Sequence, residues 1–296
     1  MKQLILTNKL PVECKNKIHN LISSPKYDGY ISFNDYNELL DLSNMTDSEF
    51  LLELLDIPKM LALPSISKFY VGAIAKASSG NLYFGANQEF PGTALNFTLH
   101  AEQSSISNAF IHGEKTIDEI IVNYIPCCLC RQFMTELDNF QKIKIIMPLT
   151  TLTLGELIPL PFGPTDLKIN DRLMNNSSSN NLDAPDYILE DPVAMSAFDA
   201  ANKSYAPYSK SYSGVSLMTK NGKFIQGRYI ENAAYNISMN PMSAALSLLN
   251  LTRFDYADIL RAVIFEPKSN IVSQINHASN LLEQINNKII LEIKQI

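Results

Sequence analysis

The 296-residue chain is 46% hydrophobic with a net charge of −6, so it can bury a sizeable core and has room for two domains. It has no basic run to neutralise a polynucleotide and no apolar run long enough to span a bilayer. A small ligand is favoured over nucleic acid or membrane. The opening MKQLILTNKL lacks the apolar core and cleavage site of a signal peptide, which makes the expected compartment the cytoplasm. Thiols stay reduced there, so clustered cysteines point to a metal or to catalysis before a disulfide.

In chain order, residues 1–45 read as a helical segment. Thr46-Asp47-Ser48-Glu49 has the form of a capping box ahead of the apolar FLLELLDI. Across residues 46–168, short β-like runs (YVGAIAK, EIIVNY, KIKIIMP) alternate with helical patterns, which predicts an α/β layered domain. Residues 169–185 read as a linker, because NNSSSNN at 175–181 is polar, low in complexity and without hydrophobic periodicity. The alternating pattern resumes over residues 186–296.

The two larger regions repeat one another. At an offset of 142 positions, SKFYVGAIAKASSGNLYFGANQE (67–89) lies over SKSYSGVSLMTKNGKFIQGRYIE (209–231) without a gap. Seven of the 23 positions are identical, including glycines at spacings of eight and five, so an internal duplication built around a strand–turn–strand unit is expected. Carried further, the same offset sets His100 over Met242, Glu102 over Ala244, Cys127 over Ser269 and Cys130 over Val272, with room for a slip after Gly227. The second copy is therefore expected to be inert, since no cysteine follows Cys130 and the one later histidine is His277.

Chemistry concentrates in the first copy. PCCLC, residues 126–130, holds three of the four cysteines. A redox pair and buried apolar thiols are the alternatives to a metal site at that pentapeptide. Pro126 is expected to open a helix through CCLCRQFMTELDNF, on which Cys127 and Cys130 share a face while Cys128 turns away to pack. A helix start favours the thiolate form. Upstream, His100 and Glu102 stand at the start of another predicted helix whose apolar face holds Ile106, Ala109 and Phe110. One nitrogen and two sulfurs suit Zn²⁺ with a fourth position open, and Glu102 is placed to carry protons.

HAEQ followed by PCCLCRQFMTEL resembles the cytidine deaminases; H-x-E with P-C-x-x-C is the general zinc-deaminase signature. The resemblance to the long bacterial type covers most of the chain. It implies a three-layer α/β/α core present twice, as a catalytic copy and a degenerate one, behind a small helical N-terminal segment. It also implies one Zn²⁺ per chain, a homodimer, and hydrolytic deamination of cytidine and deoxycytidine in pyrimidine salvage. Glu102 would protonate N3 and then assist departure of ammonia, and backbone near Ala101 and Ile125 would hold the base edge. The family stretch Gly-Ala-Asn-x-Glu-Phe stands here as Gly85–Phe90, so Asn87 and Glu89 inherit the ribose contacts and Phe69 the stacking on the pyrimidine. Cys128 departs from the family pattern, which has Gly or another non-thiol residue. A nucleic-acid or nucleotide deaminase of the same superfamily, and a non-enzymatic zinc module, are the rival readings.

Overall fold

Period-two burial builds the first sheet. Along β2 (Gly72–Ala77), Ala73, Ala75 and Ala77 join one core cluster and Ile74 joins another; along β4 (Ile117–Val122), Ile120 and Val122 oppose Ile121 in the same way. A sheet with two apolar faces must be covered on both. The structure, a computed structural model, describes residues 6–7, 9–175 and 179–296; residues 1–5 and 8 of the opening segment and 176–178 of the polar heptapeptide lie outside the described residues.

One face of the sheet is covered by α1 (Val12–Ser23), α2 (Phe33–Ser43), α3 (Asp47–Leu54) and α4 (Asp56–Leu61). The capping box at the start of α3 is present, with the Thr46 side chain on Glu49 N–H and Glu49 on the Thr46 N–H. The other face is covered by α5 (Ala101–Ile111) and α6 (Cys128–Met134). Strand order is β1-β3-β2-β4-β5-β6, where β1 is Tyr30–Ile31, β3 Leu82–Ala86, β5 Lys144–Met147 and β6 Thr150–Thr153. Only β4 and β5 run parallel. The N-terminal segment is thus not wholly helical: β1 stitches it to the sheet edge. After the short α7 (Leu154–Leu157) come α8 (Asp186–Leu189) and the second copy.

That copy has strand order β8-β7-β9-β10, built from β7 (Gly214–Thr219), β8 (Phe224–Arg228), β9 (Ile259–Glu266) and β10 (Leu291–Gln295), and β9 and β10 are again parallel. On one face lies α9 (Pro192–Asn202); on the other lie α10 (Pro241–Leu251) and α11 (Ile275–Ile285). The three-layer α/β/α core is therefore present twice.

The repeat does not keep a single register. The offset is 142 where β2 meets β7 and β3 meets β8. It falls to 140 at the next helix, because an ideal Cβ on Gly85 would strike Ala101 and Ser105 whereas one on Gly227 would strike Pro241 and Ala245. It is 147 at the last one: Asn123 Nδ2 donates to Tyr70 O, and Asn270 does the same for Tyr212 O. The loop before α5 is two residues longer than its counterpart before α10, and five extra residues precede α11. The sequence-based pairing of site positions is corrected accordingly: Asn240 stands for His100, Met242 for Glu102, Gln274 for Cys127 and His277 for Cys130.

Candidate metal centre

α5 begins at His100, its N-cap, with the first helical bond from Ser104 N–H to His100 O at 3.0 Å. The His100 N–H is turned toward Gln103 Oε1 at 3.3 Å. α6 begins at Cys127, also an N-cap, with Arg131 N–H on Cys127 O at 3.0 Å. Cys127 therefore stands just ahead of the helix rather than on its face. The helix is also shorter than its sequence predicts: it ends at Met134, and a 3-10 turn follows at Phe140–Lys142 beyond Asn139, whose φ is 50°.

The two N-caps meet. His100 Nδ1 lies 3.3 Å from Cys127 Sγ and 3.3 Å from Cys130 Sγ, and the two sulfurs are 3.6 Å apart. Bonds of about 2.0–2.3 Å in a tetrahedron require donor–donor edges of about 3.3–3.8 Å, so the triangle fits Zn²⁺. It is the one such group of His, Cys and carboxylate donors among the described residues. Cys128 is exposed and takes no part, so it does not pack as its helical direction suggested.

The electrostatics prepare this triangle for a cation. The Cys130 thiol's hydrogen bond, aided by His100 against burial, holds Cys127 down at about 3. The same hydrogen bond, with burial, pushes Cys130 well above the usual thiol range. The Cys127 hydrogen bond, opposed by burial, raises His100. The thiolate is thus favoured on Cys127 over Cys130, and for both sulfurs to hold a metal ion Cys130 would have to give up its proton. Glu102, 5% exposed, is raised by burial, opposed chiefly by its backbone hydrogen bond and by His100. A carboxyl group raised toward neutrality suits proton transfer.

Asn87, Glu89 and Phe69 come together around the loop that precedes β2. Asn87 Oδ1 accepts Val71 N–H at 3.0 Å and its Nδ2 donates to Phe69 O at 2.8 Å. Glu89 Oε2 accepts Ile66 N–H at 2.7 Å and Ser67 N–H at 2.8 Å, while the Ser67 hydroxyl donates to Oε1. Both side chains thus hold the loop, leaving one carbonyl lone pair on Asn87 and one carboxylate lone pair on Glu89. Phe69 is half exposed, its ring 4.4 Å from that of Tyr124. Sequence reasoning passed over Tyr124, although it stands two residues before Pro126.

The second copy repeats the loop and fills the site. Glu231 accepts Tyr208 N–H at 2.9 Å, Ser209 N–H at 3.1 Å and the Ser209 hydroxyl, so it survives for a structural reason that needs no ligand. Asn240 Nδ2 donates to Gln274 Oε1 at 2.9 Å where His100 meets Cys127. His277 packs against Phe97 of the first copy with ring centroids 3.9 Å apart and planes inclined at 56°, and burial lowers it to about 4, which keeps it neutral. Ser211 and the buried Tyr229 replace Phe69 and Asn87.

Two family models described as the cytidine and deoxycytidylate deaminase zinc-binding region match residues 45–147 and 154–279. A cytidine deaminase of Shewanella oneidensis is 46% identical over 259 residues, 87% of this chain and 86% of that protein. One from Yersinia pestis is 41% identical over 269 residues, 90% of each. The crystal structure of the Mycobacterium tuberculosis cytidine deaminase is 26% identical with a TM-score of 0.37, covering 40% of this chain and 99% of that one.

Proposed function

We infer that this chain, which belongs to the cytidine and deoxycytidylate deaminase family, hydrolyses cytidine and deoxycytidine to uridine and deoxyuridine with release of ammonia, using Zn²⁺. The observation that carries the reading is the triangle of His100 Nδ1, Cys127 Sγ and Cys130 Sγ beside a buried carboxyl group. We assign those three residues as the zinc ligands and Glu102 as the proton carrier. The ion, when bound, supplies the Lewis acidity that lets water act as a nucleophile near neutral pH. Glu102 takes a proton from the attacking water and delivers it to N3 of the base, then moves that water's second proton, from the new C4 hydroxyl, to the amino group, which leaves as ammonia as the C4 carbonyl forms. Burial keeps this carboxyl group away from bulk water, so the protons it carries go to the substrate.

On the substrate side we assign Phe69 to the face of the pyrimidine, with Tyr124 bracing it, and Asn87 and Glu89 to the ribose hydroxyls through their remaining lone pairs. The loop they hold presents Phe69, so the same hydrogen bonds that shape the loop also place the stacking ring. Residues 46–168 are read as the catalytic domain, 186–296 as the degenerate one and 169–185 as the linker, behind the segment 1–45. The reading extends to a homodimer acting on free nucleosides in cytoplasmic pyrimidine salvage. The exposed Leu149 (99%) and Leu160 (93%), with Phe162, supply apolar surface for a second copy. No described helix is long and apolar enough to cross a membrane.

Steady-state assays on cytidine, deoxycytidine, CMP and a single-stranded oligonucleotide test the substrate class. Turnover confined to the two nucleosides is expected, and turnover of the oligonucleotide alone would overturn the reading. Sedimentation in solution tests the dimer, against which a fully active monomer would count.

A further inference from the structure

α6 has only seven residues, and a helix of two turns has no stability of its own in water, so tertiary contacts decide where it lies. At its N-terminal end the tethers come from its own copy: Arg131 Nε donates to Pro126 O at 2.8 Å and Nη1 to Leu157 O at 3.0 Å. At its other end, beside the bonds from Leu173 N–H to Glu136 O at 2.9 Å and from Gln132 Nε2 to Phe162 O at 2.6 Å, further tethers come from the second copy. Glu136, just beyond the helix, is fully buried. Its Oε2 accepts the Tyr205 hydroxyl at 2.8 Å and the Tyr208 hydroxyl at 2.9 Å, and its Oε1 accepts Ala233 N–H at 2.7 Å. One turn earlier, Gln132 and Asn232 exchange hydrogen bonds of 3.1 and 3.3 Å.

The other metal-site helix is held in the same manner. Arg228, buried in the second copy, donates from Nη1 to Phe110 O at 2.8 Å and from Nη2 to Ile111 O at 3.0 Å, which places a cation on the last carbonyls of α5. Both helices that begin at the triangle therefore end on the degenerate copy.

We propose that Glu136 is a positioning residue for the metal centre, the point through which the degenerate copy fixes α6 and with it Cys127 and Cys130. The proposal rests on the ligand assignment made under Proposed function. A buried carboxylate is costly unless donors fill its lone pairs. The three donors here all come from the other copy, so the favourable state of Glu136 exists only when the copies are docked. From Cys130 to Met134 the helix rises only about 6 Å. A shift at its end is thus transmitted to the ligand with little loss, and donor edges of 3.3–3.6 Å leave no slack for it. Outer partners of metal ligands typically change metal affinity or activity by about 10- to 100-fold.

The test uses full-length Glu136→Ala, Glu136→Gln and Tyr208→Phe, with His100→Ala as the control. Measured for each are melting temperature, zinc release to a chelator, kcat and KM separately, and the thiolate-to-metal absorption of the cobalt-substituted protein. The Glu136 variants are expected to release zinc about 10- to 100-fold faster, with kcat lowered and KM little changed. Their cobalt band is expected to shift, while Tyr208→Phe shows the same changes in smaller measure. A purely structural role would move the melting temperature alone. Folded variants with wild-type release rate and cobalt spectrum overturn the proposal, and should Glu136→Ala not fold, Glu136→Gln and Tyr208→Phe decide it. Failure of the ligand assignment has a different signature, zinc retained by His100→Ala.

Discussion

Gly85→Ala and Gly227→Ala introduce the same steric lesion into the two copies and are expected to have different consequences. An ideal Cβ on Gly85 would stand 2.7 Å from the Ser105 Cβ and closer still to the Ala101 carbonyl, while one on Gly227 would stand 2.8 Å from the Ala245 Cβ and closer to the Pro241 carbonyl. Carbon atoms rest at about 3.5–4.0 Å, so each variant must move its helix start by about 1 Å. Overpacking of this kind costs about 1–3 kcal/mol, or roughly 2–12 °C in Tm at about 2–4 °C per kcal/mol. In the first copy the displaced turn carries His100 and Glu102. A misplacement of about 1 Å can cost about 100-fold in rate, so kcat of Gly85→Ala should fall by that order. The displaced turn of the second copy carries Asn240 and Met242, and kcat of Gly227→Ala should fall less than about tenfold. Loss of ultraviolet absorbance as cytosine becomes uracil gives kcat, and a circular-dichroism melt gives Tm. Folded Gly85→Ala with wild-type kcat, or equal losses in both variants, would refute the reasoning.

Glu102→Gln is nearly isosteric in a buried site, so zinc and fold should persist while kcat drops by about 10²- to 10⁴-fold; wild-type turnover would remove Glu102 from the proton path. Cys128→Gly should keep zinc and kcat because this thiol is exposed and outside the triangle, and loss of metal from it would count against the ligand choice. Asp28 joins the N-terminal segment to both copies through His112 at 3.3 Å and Lys223 at 2.7 Å. Burial pushes its carboxyl group up, but the His112 and Lys223 hydrogen bonds outweigh it and hold it at about 2 against an ordinary 3.8. A lowered carboxyl pKa adds stability above the unfolded value that is lost as pH falls through the folded one. Asp28→Asn should therefore destabilise modestly at pH 6, by less than about 1 kcal/mol at this partly exposed site, with the difference fading between about pH 4 and pH 2. Denaturant melts at both pH values check it, and a penalty that grew on acidification would contradict the sign.

Local chemistry was legible where the chain itself writes it. PCCLC and HAEQ carry the triangle and the buried carboxyl group, and the Thr46–Glu49 box starts α3 as its spacing requires. The duplication was legible because the glycines recur, Gly72/Gly214 and Gly85/Gly227 where a strand and a helix approach too closely for a Cβ, and Gly80/Gly222 in a turn at positive φ. The partners of the second copy's site positions were not, because loop lengths differ by two residues before the second helix and by five before the third, and a gapless offset cannot register either. The end of α6 was missed because the left-handed Asn139 and the contacts of Glu136 override a helical pattern that continues to Phe140. Glu136 itself read as one more charge on a helix. Its partners lie 69 to 97 residues away, and only the docking of the copies brings them in.

The central claim is that one of two homologous cores holds the metal and the other holds the first in shape. Zinc analysis of the purified full-length chain tests it most directly. One zinc per chain is expected, falling to none in His100→Ala and Cys127→Ala and unchanged in Gln274→Ala. Two zincs per chain, or zinc retained by His100→Ala, would contradict it.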